Sequence, residues 1–373
     1  MIAWLLISFF VLLFLGVPIA MSLGLSAMGG ILFLGGGSTV TIAQRMFEGM
    51  NSFALLAIPL YTFAGFTMSK GGISKRLMDF CYSIVGHIYG GLAHVNVLSS
   101  MIFAGISGSA VADTAGVSGM FMPEMIRKGY SKNFTVAVTA ISSTIGIIIP
   151  PSIPMVVIAG ICGISTGKLF LGGIIPGILC GLAQMIVSYF LAKKEGVPKE
   201  PGHFTIGPVL HGLWESWPAL LMPIIIVGTI TMGIVSPTEA GVIAVVYGLF
   251  AGGIIYRELK WEDIKFAFAE TVRTSGRIFI VIGAAKLYTV MLTTAGFDKW
   301  VAKTMLGFST NPTVILIMIL LIFFIVTMFM ESIATLTLFM PILYPIALGV
   351  GIDPIVLSVL ITVVIGIGLV TPP

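Results

Sequence analysis

Between Phe134 and Ile164 the chain carries no charged residue, yet it holds Pro150, Pro151 and Pro154. A stretch this long can cross a bilayer, which takes about 20 apolar residues. Proline lacks an N–H and its ring collides with the carbonyl one turn earlier, so the helix must break at "IIIPPSIP". Backbone without helical hydrogen bonds survives at membrane depth only when buried in protein or lining a water-filled cavity. The break therefore demands a partner segment. "SGSAVADTAGVSG", Ser107–Gly119, fits: one carboxylate, four hydroxyls and three glycines inside the apolar run from Val97 to Pro123. Together the two segments predict a re-entrant helical hairpin whose tip meets an unwound helix.

The rest of the chain has the same character. Of its 373 residues 57% are hydrophobic and 9% charged, against roughly 25% charged in a soluble domain. Such a chain cannot cover a water-facing surface, so the expected class is an all-α polytopic membrane protein. Apolar segments run over 2–34, 53–68, 97–123, 134–164, 169–191, 217–235, 240–256, 266–292, 313–345 and 355–373. The first has no basic residue ahead of it, Arg45 being the earliest, and it exceeds a signal-peptide core. It reads as a retained first span with the N-terminus in the cytoplasm. Residues 77–95 are less apolar and carry Asp79, His87 and His94. They suit an interfacial helix with both histidines at the surface, a tilted span being the alternative. The aqueous linker is "KKEGVPKEPGHFTIGP", Lys193–Pro208.

Several function classes drop out. The net charge of +4 sits in short loops and implies no nucleic-acid partner. Cys81, Cys162 and Cys180 lack metal-ligand spacing and read as packing thiols. No Walker loop and no H-E-x-x-H occurs, and "GISGS" lacks the nucleophile-elbow spacing, so no enzyme signature remains.

The two halves of the chain echo each other. "LYT" at Leu60–Thr62 returns at Leu287–Thr289, "FMP" at Phe121–Pro123 returns at Phe339–Pro341, and "PP" at Pro150–Pro151 returns at Pro372–Pro373. Asp113 lies 123 − 113 = 10 positions before its FMP proline, and Glu331 lies 341 − 331 = 10 before its own. Each acid is followed by a hydroxyl residue, Thr114 or Ser332. Lys70, Lys75 and Arg76, then Arg127, Lys128 and Lys132, then Lys193, Lys194 and Lys199, place three loops in the cytoplasm. One extra span, 217–235, then inverts the second copy. The expected organisation is a first repeat over 1–196 (hairpin 97–123, broken helix 133–165), a linker and connecting span over 197–236, and a second repeat over 237–373 (hairpin 313–345, broken helix 355–373). On this pattern some 45 further residues are expected after Pro373. Inverted repeats with broken helices are the build of secondary transporters.

Oxygen donors without thiols or imidazoles suit a hard cation, and sodium is the natural ion at a broken helix. Around the first bend these are Ser107, Ser109 and Thr114, with Ser142, Ser143, Thr144 and the carbonyls before Pro150. Asp113 either touches the ion or ties down the hairpin tip; both stay open. The competing explanation is close helix packing by small residues. Lys286 lies deep in its run, where it meets an anionic substrate, pairs with Glu331 or snorkels outward. Arg273 and Arg277 suit snorkelling. Pro237 and Glu239 in "SPTEAG" suit a helix cap.

"SGSAVADTAGVSGMFMPEMIRKGY", followed by "SSTIGIIIPPSIPMVV", resembles the large membrane subunit of TRAP transporters, the tripartite ATP-independent periplasmic family. "GVPIAMSLGL" and "SPTEAG" are similar to it too. The resemblance implies sodium-coupled import of organic anions, often carboxylates or sialic acids, by an elevator movement in a bacterial or archaeal cytoplasmic membrane. It implies two partners, a small (Q-type) membrane subunit and a periplasmic (P-type) substrate-binding protein. It carries sodium sites to Ser107, Gly108, Ser109 and Asp113 with Ser142, Ser143, Gly146 and Pro150, and to Glu331 and Thr335 with Gly366 and Thr371. Candidate substrate contacts are Ser109, Ser152, Lys286 and Arg277. The alternative is a stand-alone sodium-coupled carrier for dicarboxylates or oxyanions, distinguished by independence from a binding protein.

Overall fold

The structure, a computed structural model, describes residues 1–35, 38–197 and 204–372. The described residues are mostly helical and contain no strand. The first apolar run is not one span but two helices, α1 (Ile2–Phe14) and α2 (Ile19–Leu34). Gly16 turns the chain at φ 81°, and Pro18, with no N–H to give, precedes α2. Next comes an amphipathic helix that the apolar runs do not announce, α3 (Thr39–Met50), capped by Ser38, whose Oγ accepts from Val40 N at 3.3 Å.

The chain continues through α4 (Ala57–Lys70), α5 (Ile73–Val85), α6 (Gly91–Ser107) and α7 (Ala110–Arg127). α8 (Lys132–Ser143) passes into a 3₁₀ turn, Thr144–Ile147, before α9 (Ile153–Cys162). Then follow α10 (Thr166–Lys194), α11 (Ile206–Thr231), α12 (Pro237–Phe250), α13 (Trp261–Thr294), α14 (Phe297–Phe308), α15 (Pro312–Thr327), α16 (Ser332–Gly349) and α17 (Pro354–Leu369). Among the described residues six helical segments are long and apolar enough to cross a membrane: Phe53–Lys70, Thr166–Lys194, Ile206–Thr231, Pro237–Ile255, Trp261–Thr294 and Ser332–Gly349. The chain is an all-α, multi-pass membrane protein.

Three expectations change at this level. Residues 77–95 are not one interfacial helix: α5 ends at Val85, and Gly90, at φ 75°, starts the first arm of the hairpin. His94 therefore belongs to α6 and is buried, with Nε2 3.2 Å from the Tyr89 carbonyl, rather than on the surface. The hairpin arms run over 91–127, longer than the apolar run. Lys199 and Pro373 lie outside the described residues, as does the middle of the linker. The cap at "SPTEAG" forms as the sequence suggests. Ser236 Oγ accepts from Glu239 N, Glu239 Oε2 accepts from Ser236 N at 2.7 Å, and Pro237 opens α12.

The helices pack into two compact units, neither of which is a contiguous half of the chain. One comprises Met1–Leu56, Pro154–Ser165 and Arg273–Pro373. Its core joins Leu5 and Phe9 of α1, Leu23 and Ala27 of α2, Ala284 and Met291 of α13, and Leu338 of α16. Tyr288 buries its ring there and donates its hydroxyl to the Leu5 carbonyl at 2.9 Å. The second unit comprises Ala57–Ile153 and Thr166–Val272. Its core gathers Leu92, Val97 and Ala104 of α6, Val117 and Phe121 of α7, and Phe134 of α8. At its edge Tyr61 of α4 donates to the Pro237 carbonyl at 2.8 Å and Tyr247 of α12 to the Pro218 carbonyl at 2.7 Å.

Candidate functional site

The first bend is two residues long. α6 stops at Gly108, which is left-handed at φ 63°; a Cβ there would lie 2.5 Å from the Pro151 carbonyl oxygen. Only glycine meets both demands, the dihedral and the close approach. Ser109 is extended and caps α7, its Oγ accepting from Ala112 N at 3.4 Å. The bend docks on the break after α8. Ile153 N donates to the Gly108 carbonyl at 3.0 Å, and a Cβ on Gly146 would stand 3.3 Å from the Ser109 carbonyl oxygen. A Cβ on Gly105 of α6 would stand 3.8 Å from the Pro150 carbonyl oxygen, and Ser152 donates its hydroxyl to the Ile147 carbonyl. Ser107, Gly108, Ser109, Gly146, Pro150 and Ser152 are thus brought together, the Gly108 carbonyl taken by Ile153 N and the Ile147 carbonyl by Ser152.

Ser142 and Ser143 point elsewhere. Ser143 turns back onto the Ala140 carbonyl at 2.8 Å. Ser142 faces α6, where a buried chain of polar groups crosses between the helices. Asn96 Nδ2 donates to Thr139 Oγ1 at 2.8 Å, Ser142 Oγ to Asn96 Oδ1 at 2.9 Å, and Ser100 Oγ to Ser142 Oγ at 3.2 Å. Asp113, in the first turn of α7, stands beside Ser100 at the end of this chain. It is fully buried, and among the described residues neither carboxylate oxygen has a donor at full hydrogen-bond geometry, although Ser100 lies close enough to interact. A buried carboxylate left without a partner costs several kcal/mol, so the pocket around Asp113 suits a proton or a small cation. Asn96, Ser100 and Thr139 were not singled out from sequence. Their signal was polar residues four apart in otherwise apolar helices, Asn96 with Ser100 and Thr135 with Thr139.

The second bend is built differently. Glu331 is itself the cap of α16: Oε2 accepts from Ile333 N at 3.0 Å and Ala334 N at 3.4 Å, while Oε1 accepts from Ser332 Oγ at 2.7 Å. The residue keeps an exposed edge while its carboxylate reaches into packed protein. Thr335 is buried one turn on and donates to the Glu331 carbonyl at 3.1 Å. A Cβ on Gly368 would collide with Thr327, the last residue of α15, so the end of α17, which holds Gly366 and leads to Thr371, lies beside the approach to this bend. Thr371 itself donates to the Ile367 carbonyl at 2.7 Å.

Lys286 lines a cavity of about 200 Å³ with Glu48 and Ser52 from the α3 end, Gly160 of α9 and Thr337 of α16. Arg277 is exposed elsewhere on α13 and does not line it. A larger cleft of about 380 Å³ lies between α5 and α11, where Asp79, His87, His211 and Glu215 meet. His211 stands 3.2 Å from Glu215, and burial pushes the Asp79 carboxyl above its usual range. Among the described residues no group of three or more His, Cys, Asp or Glu is placed to hold a metal ion. That leaves oxygen-lined bends in apolar helices.

A multi-pass helical membrane protein with interrupted helices and buried polar bends belongs to the class of membrane transporters. The family described as "Tripartite ATP-independent periplasmic transporter, DctM component" matches residues 6–373, and the chain belongs to it. The chain is 38% identical over 365 residues to the isethionate TRAP transporter permease protein DctMQ of Oleidesulfovibrio alaskensis, covering 98% of this chain and 58% of that protein. It is 36% identical to the sialic acid TRAP transporter large permease protein SiaM of Vibrio cholerae, covering 97% and 84%. It is 37% identical to the C4-dicarboxylate TRAP transporter large permease protein DctM of Pseudomonas aeruginosa, covering 94% and 82%. The fold is similar to the crystal structure of the Alcanivorax borkumensis YdaH transporter, with TM-score 0.59, 13% identity, and coverage of 88% of this chain and 77% of that one. This is a transport family, not an enzyme.

Proposed function

We propose that the chain is the permease of a sodium-coupled importer of small organic anions. The observation that carries this is the buried Asp113 carboxylate, among the described residues without a donor at full hydrogen-bond geometry, one turn from a bend seated on a broken helix. A cation bound there offsets the charge and pins α7 against α6 and α8, so ion occupancy and hairpin position become one equilibrium. The coordinating oxygens would come from Asp113, Ser100 and backbone carbonyls of the Ser107–Ser109 bend and the Gly146–Pro150 break. A second ion would sit where Glu331 and Thr335 meet Gly366–Thr371. The bends then travel with the substrate against a fixed scaffold, an elevator. The domain plan that goes with this is two inverted repeats, 1–196 and 237–373, joined by 197–236.

The relatives supply the substrate range, their names printing isethionate, sialic acid and C4-dicarboxylate. A periplasmic binding protein and a small membrane subunit, separate or fused as the DctMQ name indicates, would complete the system in a bacterial or archaeal cytoplasmic membrane, with the N-terminus cytoplasmic. Proteoliposomes holding the permease and its partners should take up an organic anion only down an inward sodium gradient. Uptake that runs equally in potassium alone would defeat the sodium reading.

A further inference from the structure

Lys286 is a half-buried cation on a long apolar helix, and its surroundings keep it available. α3 crosses α13 at two glycines. A Cβ on Gly49 would lie 2.6 Å from Lys286 Cβ, and one on Gly283 would lie 3.2 Å from the Met46 carbonyl oxygen. The lysine stem is therefore held across the Gly49 backbone, and Lys286 is one of the residues lining the cavity of about 200 Å³. Among the described residues Lys286 makes no ion pair or hydrogen bond. The one carboxylate lining the same cavity, Glu48, is taken: Arg45 Nη1 holds its Oε2 at 2.7 Å. That hydrogen bond first, then the charges of Arg45 and Lys286, keep Glu48 below the usual carboxylate range. Two hydroxyls complete the lining. Ser52 has no side-chain partner among the described residues, and Thr337 donates to the Ile333 carbonyl at 2.7 Å, leaving its lone pairs open.

Resting on the proposed import of organic anions, we infer that this cavity is the seat of the anion's acid group, held by Lys286 and Ser52, and that it takes acids of about two to four carbons. The size follows from the volume, below the roughly 300–1,000 Å³ of sites for drug-sized ligands. That volume favours small acids over a nine-carbon sugar acid. The ion pair Arg45–Glu48 is the positioning device: it keeps an internal carboxylate off Lys286. Without Arg45, Glu48 competes with the ligand at high effective concentration.

The experiment places a reporter in the cavity. The full chain carrying Ile161→Cys, which lines the cavity and is neither of the two proposed contacts, is reacted in membranes with a maleimide, the unsubstituted chain giving the background of the three native cysteines. Succinate and 2-hydroxyethanesulfonate are each expected to slow labelling, and N-acetylneuraminate is not. Lys286→Met should weaken that protection at least about tenfold, the loss of a charge-assisted contact, while Lys286→Arg keeps part of it. Arg45→Gln should weaken protection, and adding Glu48→Gln should restore it, which a purely structural role for Arg45 does not explain. Protection that survives Lys286→Met, protection by the sugar acid alone, or none by either small acid, overturns the inference. Sodium-driven succinate uptake, measured in parallel with the partner proteins, separates the two readings. Protection without uptake keeps the site and refutes the import reading. Uptake by Lys286→Met at unchanged KM keeps import and refutes the site.

Discussion

The two bends carry one acid each at the same offset from an FMP proline, yet the acids do different work. Glu331 caps its helix and spends its carboxylate on two backbone N–H groups and the Ser332 hydroxyl. At the first bend Ser109 does the capping, and Asp113 comes four residues later with no capping bond and, among the described residues, no donor at full hydrogen-bond geometry. One extra turn between cap and FMP separates the two cases: α7 begins at Ala110, 123 − 110 = 13 positions before its proline, and α16 at Ser332, 341 − 332 = 9 before its own. A satisfied acid fixes a helix end. An unsatisfied one holds no helix end. Equal spacing in sequence does not guarantee equal roles in space.

The largest effect should come from the bend that has no freedom. At Gly108 an alanine must adopt φ 63° and place its Cβ against the Pro151 backbone. Left-handed strain alone costs about 1–3 kcal/mol, and a backbone neighbour cannot rotate away. Gly108→Ala should abolish sodium-driven uptake and lower yield in the membrane; normal uptake would mean that the bend does not sit on the break as described.

Next is the charge itself. Asp113→Asn keeps the shape of the side chain and its capacity to meet Ser100, and removes the charge. The fold should persist, while apparent sodium affinity falls by at least about tenfold, the scale of one charge-assisted contact. An unchanged sodium half-saturation would remove Asp113 from the ion site. Glu331→Gln should behave oppositely. It weakens a charged cap at a helix N-terminus, a loss of about 0.5–2 kcal/mol, visible as a lower melting temperature with a smaller change in sodium affinity. If the two substitutions exchange these signatures, the contrast between the bends is wrong.

What the sequence made legible follows from the same physics. Prolines in an uncharged run announced the broken helix after α8, and the glycine–serine bend announced its partner, since each is forbidden as plain helix in lipid. The "SPTEAG" cap was readable because capping is local. The turn at Gly16–Pro18 was hidden by uniform apolarity, and α3 because Arg45 and Glu48 interrupt its apolar pattern. The polar chain through Asn96, Ser100, Thr139 and Ser142 was illegible because it depends on which faces of α6 and α8 meet. That is a tertiary fact, and the hydroxyls alone looked like packing residues. The placement of Ser143 missed for the same reason: its hydroxyl chose its own helix carbonyl, as serine in an apolar helix often does.

The smallest expected effect is the most discriminating. Ser100 sits between the acid and the polar chain, beside Asp113 and donating to Ser142 at 3.2 Å. If its hydroxyl merely ties α6 to α8, then Ser100→Ala and Ser142→Ala both break that bond, Ser142→Ala losing the bond to Asn96 Oδ1 as well. Each should then cost about 0.5–1.5 kcal/mol of stability with no change in sodium dependence. If Ser100 instead turns its oxygen toward an ion at Asp113, the two substitutions separate. Ser100→Ala should lower apparent sodium affinity by about two- to fivefold, and Ser142→Ala should not. Thr271→Ala on α13 supplies the control, because its buried hydroxyl donates to the Ala267 carbonyl of its own helix at 2.7 Å and belongs to neither bend. A sodium titration of the three variants, with thermal stability read beside it, decides between tie and ligand. A shift in sodium affinity for Ser142→Ala as large as that for Ser100→Ala would move the ion deeper, into the chain that begins at Asn96.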